Sequence, residues 1–113
     1  MSQNVRPIIV KDDETGLEYT LEFTRDSVRF AEARGFKIQD VSDYPMTKIP
    51  ELWFYAFRAN HKNVSRGKTD ALLDGLGGIP DGLLERLGEL YAAPFNALTD
   101  SDPAENPTVT VTL

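Results

Sequence analysis

The sequence predicts an α+β fold, predominantly helical: an N-terminal β-hairpin packed on about four short helices, followed by a disordered C-terminal tail. Three observations predict it. Leu17, Tyr19, Leu21 and Phe23 alternate with Glu18, Thr20 and Glu22, which gives a strand one buried and one wet face. From Thr24 to Leu98, apolar residues recur at three- and four-residue steps between capping residues. From Thr99 the composition turns to Asp, Ser, Pro and Asn. The expected organisation is one globular domain over 1–98, with the hairpin in 5–23 and the helices in 24–98. Residues 99–113 then form a flexible acidic, polar tail with a latent strand.

In order, Ile8-Ile9-Val10 is a β-branched run, and Asp12-Asp13-Glu14-Thr15-Gly16 has turn chemistry. Two strands are marginal alone, so this hairpin has to lie against helices. Thr24 reads as an N-cap, with Asp26 at the positive end of the dipole. That helix runs to about Arg34, where Gly35 suits a left-handed C-cap. A connector rich in Asp, Ser and Pro covers 39–47. A second helix opens at Thr47 or Ile49, tolerates Pro50 in its first turn, and ends near His61-Lys62. Its 52–57 stretch is apolar nearly all round, which marks a central helix. Ser65 caps a third segment that ends at Gly77-Gly78. Pro80 restarts a helix carrying Leu84, Leu87, Tyr91, Phe95 and Leu98. Gly82 and Gly88 weaken that helix, and Pro94 predicts a kink or break. The expected core is Leu21, Phe23, Val28, Phe36, Leu52, Phe54, Phe57, Leu72, Leu76, Leu84, Leu87, Tyr91 and Phe95.

Composition narrows function. The 113 residues are 41% hydrophobic and 27% charged, enough for one small core. Twelve Lys+Arg against eighteen Asp+Glu leave a net charge of −6, which argues against nucleic-acid and polybasic membrane-surface binding. No cysteine is present, so thiolate catalysis and thiolate metal sites are excluded. The longest apolar run, 52–57, is far short of the ~20 residues of a membrane span. Met1-Ser2-Gln3-Asn4 lacks the basic and apolar regions of a secretory leader, so a cytoplasmic protein is expected.

No motif assembles a catalytic, metal or cofactor site. His61 is the one histidine; as a general base or metal ligand it lacks partners, and it reads better as a polar residue closing a helix. Asp12-Asp13-Glu14 lacks the spaced ligands of a calcium loop and reads as a solvated turn. Gly67-Lys68-Thr69 matches the end of a phosphate loop, but no glycine stands five residues before it, and a helix N-terminus is the better account. Arg66 and Lys68 on a helix-turn-helix reader would be opposed by Asp70 and Asp74. Trp53, Phe54, Tyr55 and Phe57 read as core or as partner contact, because four bulky groups around one short helix strain what a small domain can cover. Trp53 and Tyr55 are therefore candidate partner-binding residues. Val109, Val111 and Leu113 join them as a strand able to add to a partner's sheet edge.

The stretch from Tyr19 to about Leu98 resembles small bacteriophage and prophage tail-cluster proteins, the tail assembly chaperones of long-tailed phages. The likeness rests on Tyr19-Thr20-Leu21-Glu22-Phe23, Val28 through Glu32 to Gly35-Phe36, and Pro45-Met46-Thr47-Lys48-Ile49-Pro50 with Leu52. Ala56-Phe57, His61-Lys62, Ser65-Arg66, Lys68-Thr69-Asp70 and Leu87 to Leu90-Tyr91 complete it. The resemblance implies a non-enzymatic protein of the bacterial host cytoplasm. It would bind the tape-measure protein, the tail-tube protein, or both before polymerisation, and would leave before the virion is complete. It supplies no catalytic residue, metal or cofactor; self-association into a homo-oligomer is compatible with it. The rival readings are a structural virion protein, such as a tail terminator or head–tail connector, and a small acidic regulatory or inhibitory binding protein.

Overall fold

A computed structural model describes residues 5–99, 109 and 112. Strands β1 (Ile8–Lys11) and β2 (Glu18–Leu21) precede α1 (Arg25–Ala33), a short 3-10 turn (Ile38–Asp40), α2 (Pro45–Phe57), α3 (Arg66–Asp74) and α4 (Leu83–Thr99). The fold is α+β and predominantly helical, with the hairpin at the N-terminus.

The hairpin is antiparallel, with Ile8 opposite Leu21 and Val10 opposite Tyr19. Its loop closes through Asp12, whose N–H donates to the Leu17 carbonyl at 2.9 Å and whose Oδ1 accepts from Glu14 N–H at 3.1 Å. Tyr19, Leu21 and Phe23 point into the core as their alternation requires, while Leu17 stays exposed beyond the strand. The far edge of β2 is covered rather than open. Thr20 N–H donates to His61 Nε2 at 2.9 Å, Asn60 Nδ2 donates to the Thr20 carbonyl at 3.1 Å, and Glu22 N–H donates to the Ala56 carbonyl at 3.1 Å. The end of α2 and the turn after it thus stand where a third strand would.

Helix α1 has both predicted ends. Thr24 Oγ1 accepts from Ser27 N–H and Ser27 Oγ accepts from Thr24 N–H, a reciprocal cap. At the other end Gly35 has φ +89°, with Gly35 N–H on the Glu32 carbonyl and Phe36 N–H on the Ala31 carbonyl. This left-handed exit turns Phe36 back into the core, where it is 1% exposed.

Helix α2 starts earlier and stops earlier than the sequence suggests. Pro45 takes the first helical position and Pro50 falls in the second turn, where its missing N–H leaves Met46, on the wet side, without its usual donor. Leu52, Trp53, Tyr55, Ala56 and Phe57 are all buried. Trp53 Nε1 donates to the Thr69 carbonyl at 2.8 Å, which pins α2 to α3. Ser65 caps α3, its Oγ accepting from Lys68 N–H at 3.1 Å, but that helix closes at Gly75, ahead of Gly77-Gly78.

Helix α4 corrects the sequence reading most. It runs unbroken across Pro94 to Thr99, one residue past the expected domain limit. Gly82 lies before the helix rather than in it, at φ +84°, and its carbonyl accepts from Arg86 N–H at 2.9 Å. The buried residues are Leu87, Leu90 and Tyr91. Leu84 and Phe95, placed in the core by their spacing, are 37% and 64% exposed. At ~100° per residue, Phe95 stands roughly 80° round the helix from Leu87, while Leu90 stands roughly 60° the other way. The inward stripe is therefore rotated toward Leu90. Leu76 is also exposed, because α3 ends before it. Val28, Phe54 and Leu72 are half-buried against the core, and the sequence reading omitted Tyr19, Leu90 and Thr69 from it.

Replacing Trp53 with Phe removes the bond to α3 and opens space at a 1%-exposed site. The expected loss is about 2–3 kcal/mol, read by circular dichroism as a lower urea midpoint at unchanged slope.

Candidate functional site

Between α1 and α4 lies an apolar groove of about 410 Å³. Val28 and Ile38 form one wall, Tyr91, Ala92 and Pro94 the floor, and Phe95 and Leu98 the open lip. Arg25, Arg29 and Glu32 stand on its rim. Phe95 and Leu98 of α4 run beside Arg25, Val28, Arg29 and Glu32 of α1 without being covered by them. Phe95 and Leu98 are 64% and 59% exposed as a result. Burial, with the Glu32 carboxylate nearby, pushes the Tyr91 phenol up to about 12, so it stays neutral at the groove floor. This site has the chemistry of a surface for an apolar segment of another chain, with charges at the rim to orient it.

The sequence candidates fall elsewhere. Trp53 and Tyr55 are 1% and 6% exposed, so they hold the core together and present no partner surface. Tyr55 packs on Phe36 at 5.4 Å and Trp53 on Phe57 at 5.4 Å between ring centres. The small domain covers Trp53, Tyr55 and Phe57 and half-buries Phe54, by placing α1, α3, α4 and the hairpin around one helix. Val109 is exposed; Val111 and Leu113 lie outside the described residues, as does the rest of the expected tail except Thr99 and Thr112.

The remaining chemical candidates are bound up in structure. His61 Nε2 accepts from Thr20 N–H, and its ring stands edge-on to Tyr19 at 5.1 Å. A nitrogen that accepts a backbone N–H has no lone pair left for a metal. In Gly67-Lys68-Thr69, Lys68 Nζ donates to Asp12 Oδ2 at 2.7 Å and Thr69 is fully buried, its Oγ1 donating to the Arg66 carbonyl. Neither side chain is placed for a phosphate. The Asp12 carboxylate ties the hairpin loop to α3, and among the described residues no cluster of His, Asp and Glu could hold a metal ion.

The groove escaped the sequence reading because its signal, Phe95 and Leu98 at helical spacing, is the same as that of a core stripe. Arg25 and Arg29 on the facing turn of α1 were the only hint that this end of the stripe meets water.

The whole chain, residues 1–113, matches the family described as a domain of unknown function, DUF5055, and belongs to it. No curated protein and no solved structure matches it. Among the described residues no helix is long and apolar enough to cross a membrane.

Two outcomes follow from this geometry. His61→Ala leaves Thr20 N–H without an acceptor and costs about 1–2 kcal/mol; amide hydrogen exchange at Thr20 speeds up more than at Val10, which is paired across the hairpin. The Lys68 bond holds the Asp12 carboxyl below its ordinary 3.8, against the opposing effect of burial, and the Asp12 bond holds Lys68 above 10.5. Asp12 therefore adds stability that is present above pH 3.8 and lost as pH falls through its lower native value, while the Lys68 share is lost only as pH rises past 10.5. Lys68→Met makes the acid-side loss of stability shallower, measured by urea unfolding across the acid range.

Proposed function

We propose that this protein is a tail assembly chaperone of long-tailed bacteriophages, binding the tape-measure protein, the tail-tube protein, or both before they polymerise. It acts without catalysis, in the host cytoplasm, and departs before the virion is finished. The observation that supports a binding role is the open lip of the α1–α4 groove, where Phe95 and Leu98 stay wet at the end of a well-packed helix. The sequence resemblance carried by Tyr19 to Leu98 supports the identity of the clients.

The groove suits a reversible binder. Covering a Phe or Leu side chain contributes about 1.5–3 kcal/mol at most. Two such side chains barely offset the about 4 kcal/mol or more that association costs. A client held this way is released once its own subunits offer a larger interface. Val109, Val111 and Leu113 belong to the same proposal as a strand that adds to an unpaired edge of the client.

Co-expression with each client tests it. The wild-type chain keeps the tape-measure or tail-tube protein soluble and co-elutes with it on a sizing column, and mass spectrometry finds it missing from finished particles. Phe95→Ser with Leu98→Ser, both at exposed positions, changes stability by less than about 1 kcal/mol and abolishes co-elution. Retention in purified virions would instead favour a structural tail component.

A further inference from the structure

Beside the groove, on the other flank of α1, lies a second cleft of about 690 Å³ between α1 and the turn after α2. Its charge runs against that of the chain. Arg29, Arg58 and Lys62 line it against one carboxylate, Asp26, while the chain as a whole carries −6. Arg58 is the fixed point. Its guanidinium carbon lies 3.8 Å from the centre of the Phe30 ring, and Phe30 stands edge-on to the buried Tyr55 at 6.1 Å. Arg34 approaches the same ring at 5.2 Å. The ring face holds Arg58 half-buried, and contact through that face leaves the in-plane N–H donors for other partners. Among the described residues, neither Arg58 nor Lys62 has a carboxylate within ion-pair distance, and no side-chain nitrogen is sealed from solvent without a partner. The Arg58 donors therefore open onto water. Arg29 reaches only Asp26, at 3.8 Å, with both side chains largely exposed.

We propose that this cleft docks an acidic peptide segment of a partner protein, with Arg58 as the anchor. Charge complementarity sets the sign of the partner: three cations face one carboxylate, on a chain that is otherwise acidic. The lining selects a peptide over a nucleic acid. Phe30 is the one aromatic side chain among the lining residues, and Arg58 already covers its face, so none is left to stack a base. A long polyphosphate would also run out of the cleft onto a surface of net negative charge. A carboxylate side chain needs only the planar fork of Arg58, where its two oxygens accept two N–H bonds. Because Phe30 already orders Arg58, binding a carboxylate costs that side chain little further freedom. Arginine anchors of this kind carry a large share of the energy at protein interfaces. This inference rests on the cleft alone and does not depend on the chaperone reading.

Titration of the full chain with a blocked oligoglutamate peptide, followed by backbone and arginine side-chain NMR, tests it. Without a docking site, such a polyanion is repelled by a chain carrying −6. The expected result is a saturable, concerted shift of the Phe30, Ala59 and Lys62 amides and of the Arg58 Nε–H signal, with Ala92 and Leu98 of the apolar groove unmoved. Arg58→Gln weakens the peptide about tenfold. Lys62→Gln, at an exposed position that leaves folding untouched, weakens it about twofold. Arg58→Lys restores only part of the loss, because it keeps the charge without the fork. Shifts that are absent, or scattered over the whole surface, would overturn the proposal, as would a peptide affinity unchanged in both Arg58→Gln and Lys62→Gln. An oligothymidylate that moves the same signals at lower concentration than the peptide would overturn it too, by making the ligand a phosphodiester.

Discussion

The structure depends on the 52–57 half of α2 being apolar nearly all round. A helix apolar on every side has to be covered on every side, and each of the other elements supplies one cover. β2 meets it through Tyr19 on Phe57, with rings 5.5 Å apart. α3 meets it through the Trp53 bond to Thr69. The left-handed exit of α1 sends Phe36 onto Tyr55, and Phe36 in turn stands 5.7 Å from Tyr91 of α4. Phe23 closes the path, 5.0 Å from the same Tyr91. Edge-to-face contacts of this kind fix ring orientations as well as burying area, so the helices are held in one arrangement.

Covering α2 also solves a problem for the hairpin. A two-stranded sheet has two open edges and little stability alone. Here the end of α2 supplies a backbone carbonyl at Ala56, and the following turn supplies Asn60 and His61, so the far edge of β2 is engaged at Thr20 and Glu22. Among the described residues no buried side-chain nitrogen or oxygen lacks a partner. The one histidine and the one lysine with phosphate-loop spacing are part of this polar closure, bonded to Thr20 and Asp12. Their chemistry is spent on joining the hairpin to the helices.

What remains for interaction is concentrated around α1 and the end of α4. On one flank of α1 the surface is apolar, with Phe95 and Leu98 standing free; on the other it is cationic, with Arg58 stacked on Phe30. The two surfaces share one residue, Arg29.

The α+β class, the hairpin, the caps at Thr24 and Ser65 and the left-handed stop at Gly35 were all legible in the sequence, because each is decided by neighbours within a few residues. The central place of α2 was legible too, since no amphipathic arrangement suits 52–57. Tertiary structure alone decided which apolar residues are covered. Leu87 and Phe95 carry the same periodic signal, yet one is 1% exposed and the other 64%, because the inward stripe of α4 runs through Leu87, Leu90 and Tyr91. Trp53 and Tyr55, readable as surface or core, became core once four elements converged on one helix. The candidate groove was invisible for the same reason: it lies between elements, where only the packing of distant segments brings its residues together.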